Sequence, residues 1–157
     1  MRKTFIPAFM LFLVAGSILA QSDIGKVRAY RQAHEHQILA EYFEFLSIPN
    51  FALDKLNIQR NAEFIAALLQ KRGVKAHLLP SRTPGTPPAV YGEVLVPGAK
   101  RTIVFYAHYD GQPVNPEQWD PAIQPYQPVF LSQSIEKGGR VLPQPKPGEA
   151  ISPEWRI

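Results

Sequence analysis

Apolar positions recur with helical spacing from Lys26 to Leu46, where Leu39, Tyr42, Phe43 and Leu46 stand at i, i+3, i+4 and i+7 and share one face. Pro49 closes this segment. A second helix is predicted from near Asp54 or Asn57, either of which suits its cap, with the same spacing at Ala62, Ile65, Ala66 and Leu69. Lys71 and Arg72 give it a basic last turn, and Gly73 a residue that takes the left-handed conformation at its end. Three short runs of strand-forming residues follow: Val74 to Leu79, Ala89 to Val96 and Arg101 to Ala107. Thr102 to Ala107 shows no polar alternation, which predicts a strand covered on both faces inside a larger sheet. Helices ahead of a buried strand point to an α/β layer fold: two N-terminal helices, then strands of a mixed sheet, then an irregular tail. The tail follows from proline, since 14 of the 16 prolines lie at position 80 or later. Within it only Pro128 to Ser132 reads as a short strand.

Residues 1–20 are a different kind of sequence. Arg2 and Lys3 precede the apolar run Phe5 to Leu19, which holds no acidic residue, and Ala20 supplies a small residue ahead of Gln21. This is the pattern of a cleaved signal peptide, so residues 1–20 are expected to direct export, to the periplasm or beyond, and 21–157 to form the mature part with no stable membrane insertion. The run is short for a spanning helix. Setting Arg2 and Lys3 aside lowers the net charge from +4 to +2, with 15 basic residues facing 13 acidic ones, too little to support a nucleic-acid partner. The chain has no cysteine, which removes disulfides, thiolate ligands and a cysteine nucleophile together. Any metal must be held by nitrogen and oxygen.

The densest chemistry lies in Phe105-Tyr106-Ala107-His108-Tyr109-Asp110-Gly111-Gln112-Pro113, where an apolar run ends in an imidazole, a carboxylate and a glycine turn. Open α/β sheets place their ligands at strand ends. Residues two apart on an extended backbone point the same way, which brings the Asp110 carboxylate near the His108 ring. A carboxylate there takes the proton of one ring nitrogen, fixes the tautomer and makes the other nitrogen a better metal ligand. The three residues alone favour a surface ion pair or a cap on the following turn; the apolar run before them and the turn formed by Gly111 and Pro113 shift the reading to rigid ligand placement.

The run His108-Tyr109-Asp110-Gly111-Gln112-Pro113, followed by Trp119 and Pro125, resembles the first metal-binding motif of the M20 zinc metallopeptidases. Arg60 to Gly73 resembles the helix ahead of that family's first strands, and Ser47-Ile48-Pro49 the motif ending its opening helix, so the likeness extends from about Lys26 to Pro128. It implies part of a zinc-exopeptidase-like catalytic domain, two zinc ions in the complete enzyme, and hydrolysis of an amide bond in a peptide or an N-acyl amino acid. His108 would be a direct zinc ligand and Asp110 the catalytic-site carboxylate that orients it. The Tyr109 and Gln112-Pro113 variant is similar to dipeptidases and carboxypeptidase-like members, and a homodimer of the complete enzyme would rest on a further domain.

The chain departs from the family pattern where most of the metal is held. The bridging aspartate, the paired glutamates, the further carboxylate and the last histidine have no counterpart, and Asp120 lies too close to the first motif to serve. These 157 residues are therefore expected to be an inactive fragment, without tight zinc binding. The alternative is an exported, non-catalytic interaction module that keeps the hydrolase scaffold and binds a protein through its proline-rich tail. His34 and His36 are two apart on a predicted helix and cannot share one ion. His77 reads as a packed or edge histidine, and Ser81, Ser132 and Ser134 lack a Gly-x-Ser-x-Gly setting. Tyr106, Tyr109, Trp119 and Tyr126 suit a substrate cleft and a core equally.

Overall fold

A computed structural model describes residues 23–157; the expected leader over 1–20 lies outside them. Helix α1 covers residues 23–33, α2 Glu35–Leu46 and α3 Lys55–Lys71. Strands β1 (Lys75–Leu79) and β2 (Ala89–Glu93) form one antiparallel sheet, β3 (Phe130–Leu131) and β4 (Val141–Leu142) another. The α/β class holds. The single mixed sheet does not: the described residues form two separate two-stranded sheets and no zinc-exopeptidase-like sheet. No helix among them is long and apolar enough to cross a membrane.

Contacts divide the chain into two units, Met1–Glu41 and Tyr42–Ile157, with the boundary inside α2. In the first unit the helix expected to run unbroken from Lys26 is interrupted at His34. The His34 N–H is shared between the Tyr30 and Arg31 carbonyls, and its ring Nδ1 lies 2.8 Å from the Tyr30 carbonyl, a side-chain partner that competes with the helical ladder. The Tyr30 and His34 rings stack at 4.0 Å.

In the second unit α3 is the organising element. Asp54 caps it by accepting from the Asn57 N–H at 3.1 Å, which decides between the two caps the sequence left open. The other end is a Schellman motif: Gly73 N–H donates to the Gln70 carbonyl and Val74 N–H to the Leu69 carbonyl, with Gly73 left-handed at φ 78°. Ile58, Asn61, Ala62 and Ala66 are its buried residues. Its last turn lies against the first sheet, where a Cβ on Gly92 would stand 3.0 Å from Val74 and 3.3 Å from Leu69. Glycine at 92 permits that close approach. Phe45 of α2 stacks on Phe64 of α3 at 5.7 Å.

The tail is more regular than its prolines suggest. Phe130 and Leu131 are buried, and Leu131 exchanges two backbone hydrogen bonds with Arg156. Phe130 packs between Phe43 of α2 and Trp155, with ring centroids 4.6 and 5.7 Å away. Residues 128–157 are thus pinned to α2 by an aromatic cluster that joins positions about a hundred residues apart.

The largest departure concerns residues 101–107. They form no strand, and Ile103, Val104, Phe105 and Tyr106 are 75, 82, 92 and 83% exposed. Four consecutive exposed apolar side chains mean that both parities of the run are uncovered. Their composition is that of a buried strand, but the described residues supply neither a strand to pair with it nor a layer to cover it.

Candidate metal centre

The apolar run ends in a turn held from outside. Gly111 N–H donates to the Asn50 carbonyl at 2.7 Å, and Ala52 N–H donates to the Gly111 carbonyl at 3.1 Å. This parallel bridge fastens the motif to the connection between α2 and α3. A Cβ at 111 would stand 2.8 to 3.0 Å from the Asn50 side chain, so glycine is required here for room. The connection is itself fixed by the fully buried Asn61, whose amide donates to the Pro49 and Asn57 carbonyls, each at 2.8 Å.

Beside that anchor, His108 Nδ1 lies 3.0 Å from Asp110 Oδ1. A carboxylate only accepts, so Nδ1 carries a proton, and in the neutral ring the lone pair is left on Nε2. The Tyr106 hydroxyl lies 3.4 Å from Nε2, a long contact, and the two rings meet edge to face at 5.5 Å. Both members of the pair are open to water, with the imidazole 72% and the carboxylate 45% exposed. Tyr109 turns the other way and donates to the Pro88 carbonyl, tying the motif to the start of β2. Burial, and then the charge of Asp110, pushes the Tyr109 phenol above its ordinary value.

Residues 105–110 form one wall of a cavity of about 750 Å³, whose other walls include Phe45, Leu68, Leu69, Arg72 and Val90. Trp119 and Tyr126 line a separate cavity of about 330 Å³ with Leu46, Ile48 and Ile123. The four aromatic residues, which suited a cleft and a core equally, are thus divided between two cavities. Tyr126 has a left-handed backbone, φ 61°, rare for an aromatic residue.

One imidazole and the carboxylate bonded to it do not make a zinc site of the expected kind. Among the described residues no group of three or more histidine, aspartate or glutamate side chains converges on a point that could hold an ion. The donor set does not fit two zinc ions. The other histidines lie elsewhere: His34 stacks on Tyr30, and His77 pairs across the sheet with Tyr91 at 5.3 Å. The sequence reading missed Asn50 and Pro88, which hold the motif through their backbone carbonyls, and Asn61, whose side-chain amide fixes the loop by donating to the Pro49 and Asn57 carbonyls; sequence patterns display none of these bonds. Comparisons with protein-family models, with curated proteins and with solved structures find no match.

Proposed function

We propose that this chain is the N-terminal part of an exported M20-type zinc peptidase, contributing one metal ligand, His108, and the carboxylate that orients it, Asp110. The observation that carries this reading is the 3.0 Å contact between His108 Nδ1 and Asp110 Oδ1, which leaves Nε2 with its lone pair at the edge of an apolar cavity. A carboxylate behind an imidazole is the arrangement that raises ligand basicity and fixes ring orientation in histidine metal sites. The rest of the reading, hydrolysis of a peptide or N-acyl amino-acid amide bond by a two-zinc centre, rests on the motif His108-Tyr109-Asp110-Gly111-Gln112-Pro113 and takes its remaining ligands from outside these 157 residues.

Zinc titration followed through the imidazole resonances tests it. His108 responds first, at Nε2, with weak affinity, while His34, His36 and His77 stay unmoved, and the chain shows no chelator-sensitive peptidase activity. Asp110→Asn weakens the His108 response roughly 10- to 100-fold, the range for loss of a partner behind a metal ligand. Zinc that ignores His108, or peptidase activity from these residues alone, overturns the proposal.

A further inference from the structure

Tyr109 stands between the two members of the site in sequence and reaches the other way. Its hydroxyl donates to the Pro88 carbonyl, one residue ahead of β2, and it is half-buried where His108 and Asp110 are exposed. Among the described residues, no backbone N–H or carbonyl from 100 to 110 takes part in a backbone hydrogen bond, and the bridge to Asn50 begins only at Gly111. Upstream of that bridge the motif is held by side chains. His108 and Asp110 meet at 3.0 Å on one side while Tyr109 bonds on the other, the alternation of an extended backbone. Fixing the middle side chain of three then fixes the outer two as a set.

The acceptor is stiff. Pro88 follows Pro87, both rings lock φ, and the residue ahead of a proline is confined to extended conformations. Ala89, the next residue, pairs with Leu79 in the β1–β2 ladder. The direction of the Pro88 carbonyl is thus restrained from both sides, and the Tyr109 hydroxyl refers the motif to the hairpin. Without that bond the backbone at 108–110 is free to rotate upstream of Gly111. Water then competes for both members of an exposed pair, and the neutral imidazole returns to the Nε2–H tautomer that an unpartnered histidine prefers.

We propose that Tyr109 is the positioning residue of the His108–Asp110 pair, its hydroxyl holding imidazole and carboxylate on the same side through the Pro88 carbonyl. The role assigned to Tyr109 rests on the reading of that pair as the functional site, but its test needs no metal. In the metal-free chain, nitrogen chemical shifts of neutral His108 give the ratio of Nδ1–H to Nε2–H tautomers. Tyr109→Phe keeps the ring, removes the donor and should lower that ratio at least twofold, toward the value in Asp110→Asn. Pro88→Gly keeps the acceptor, frees its direction and should shift the ratio the same way by less. Ile58→Val, a loss of packing in α3, should lower stability and leave the ratio as it was. A wild-type ratio in Tyr109→Phe or in Pro88→Gly, or an equal shift in Ile58→Val, overturns the proposal. Zinc that ignores His108 while Tyr109→Phe shifts the ratio sinks the metal reading alone; zinc that finds His108 while the ratio holds sinks this one alone.

Discussion

Gly111 donates its N–H to the Asn50 carbonyl at 2.7 Å while leaving no room for a side chain beside the Asn50 amide. The relationship makes the position of the His108–Asp110 pair depend on the loop between α2 and α3. Gly111→Ala should cost about 1–3 kcal/mol of stability, the range for overpacking a close contact. The same substitution in an Asn50→Ala background should cost clearly less, because the atoms it meets are those of the Asn50 side chain. A double-mutant cycle by urea unfolding measures the coupling, and two strictly additive effects would contradict the geometry.

Asn61 is the buried polar residue on which that loop rests. Asn61→Ala leaves the Pro49 carbonyl without its side-chain donor and should lower stability by roughly 1–3 kcal/mol. Asn61→Leu keeps much of the volume but should not rescue it. The neighbouring Ile58, with no exposed surface, should lose about 2–5 kcal/mol on change to alanine. Chemical denaturation checks both, and wild-type stability for Asn61→Leu would show that its hydrogen bonds do not matter.

The tail is held by Phe130 between Phe43 and Trp155. Phe130→Ala should destabilise by about 3–5 kcal/mol. Trp155→Ala should free residues 128–157 to proteolysis while the α3 amides keep their protection from hydrogen exchange. Equal loss of protection in α3 would mean that the tail and the helix unfold as one.

Acid should loosen the α3 start and the first sheet together. The Asn57 side chain, followed by its backbone N–H, holds the Asp54 carboxyl below its ordinary value. The Lys75 ammonium and then the Tyr91 hydroxyl do the same for Glu93. Both carboxylates are depressed on folding, so the stability they contribute is fully present above their unfolded values, about 4, and is lost as pH falls through the folded ones. Lys75 is raised by the same Glu93, so its share is present below its unfolded value and lost as pH rises through the folded one. Asp54→Asn keeps a capping side chain and should flatten the acid limb of stability against pH without lowering the neutral plateau much. An unchanged acid limb would remove Asp54 from the account.

The sequence by itself determined the local elements whose causes lie within a few residues. Helical spacing and the Lys71-Arg72-Gly73 ending are enough to place α3, because its ladder and its Schellman motif close within one segment. The strands at Lys75 and Ala89 begin within a residue of where β-branched and aromatic composition puts them. Also legible was the His108-x-Asp110 pairing, since residues two apart have few ways to miss each other. Tertiary structure decided what depends on distant partners. The seating of Gly111 on Asn50 and the aromatic clasp of Phe130 between Phe43 and Trp155 turn on contacts that no local pattern encodes, whereas the break at His34 and the cap at Asp54 are local and were settled only by the side-chain geometry. The clearest division falls at Thr102 to Ala107: composition says what such a run needs, a neighbouring strand and a covering layer, but only the assembled chain reveals whether those partners are present, and among residues 23–157 they are not.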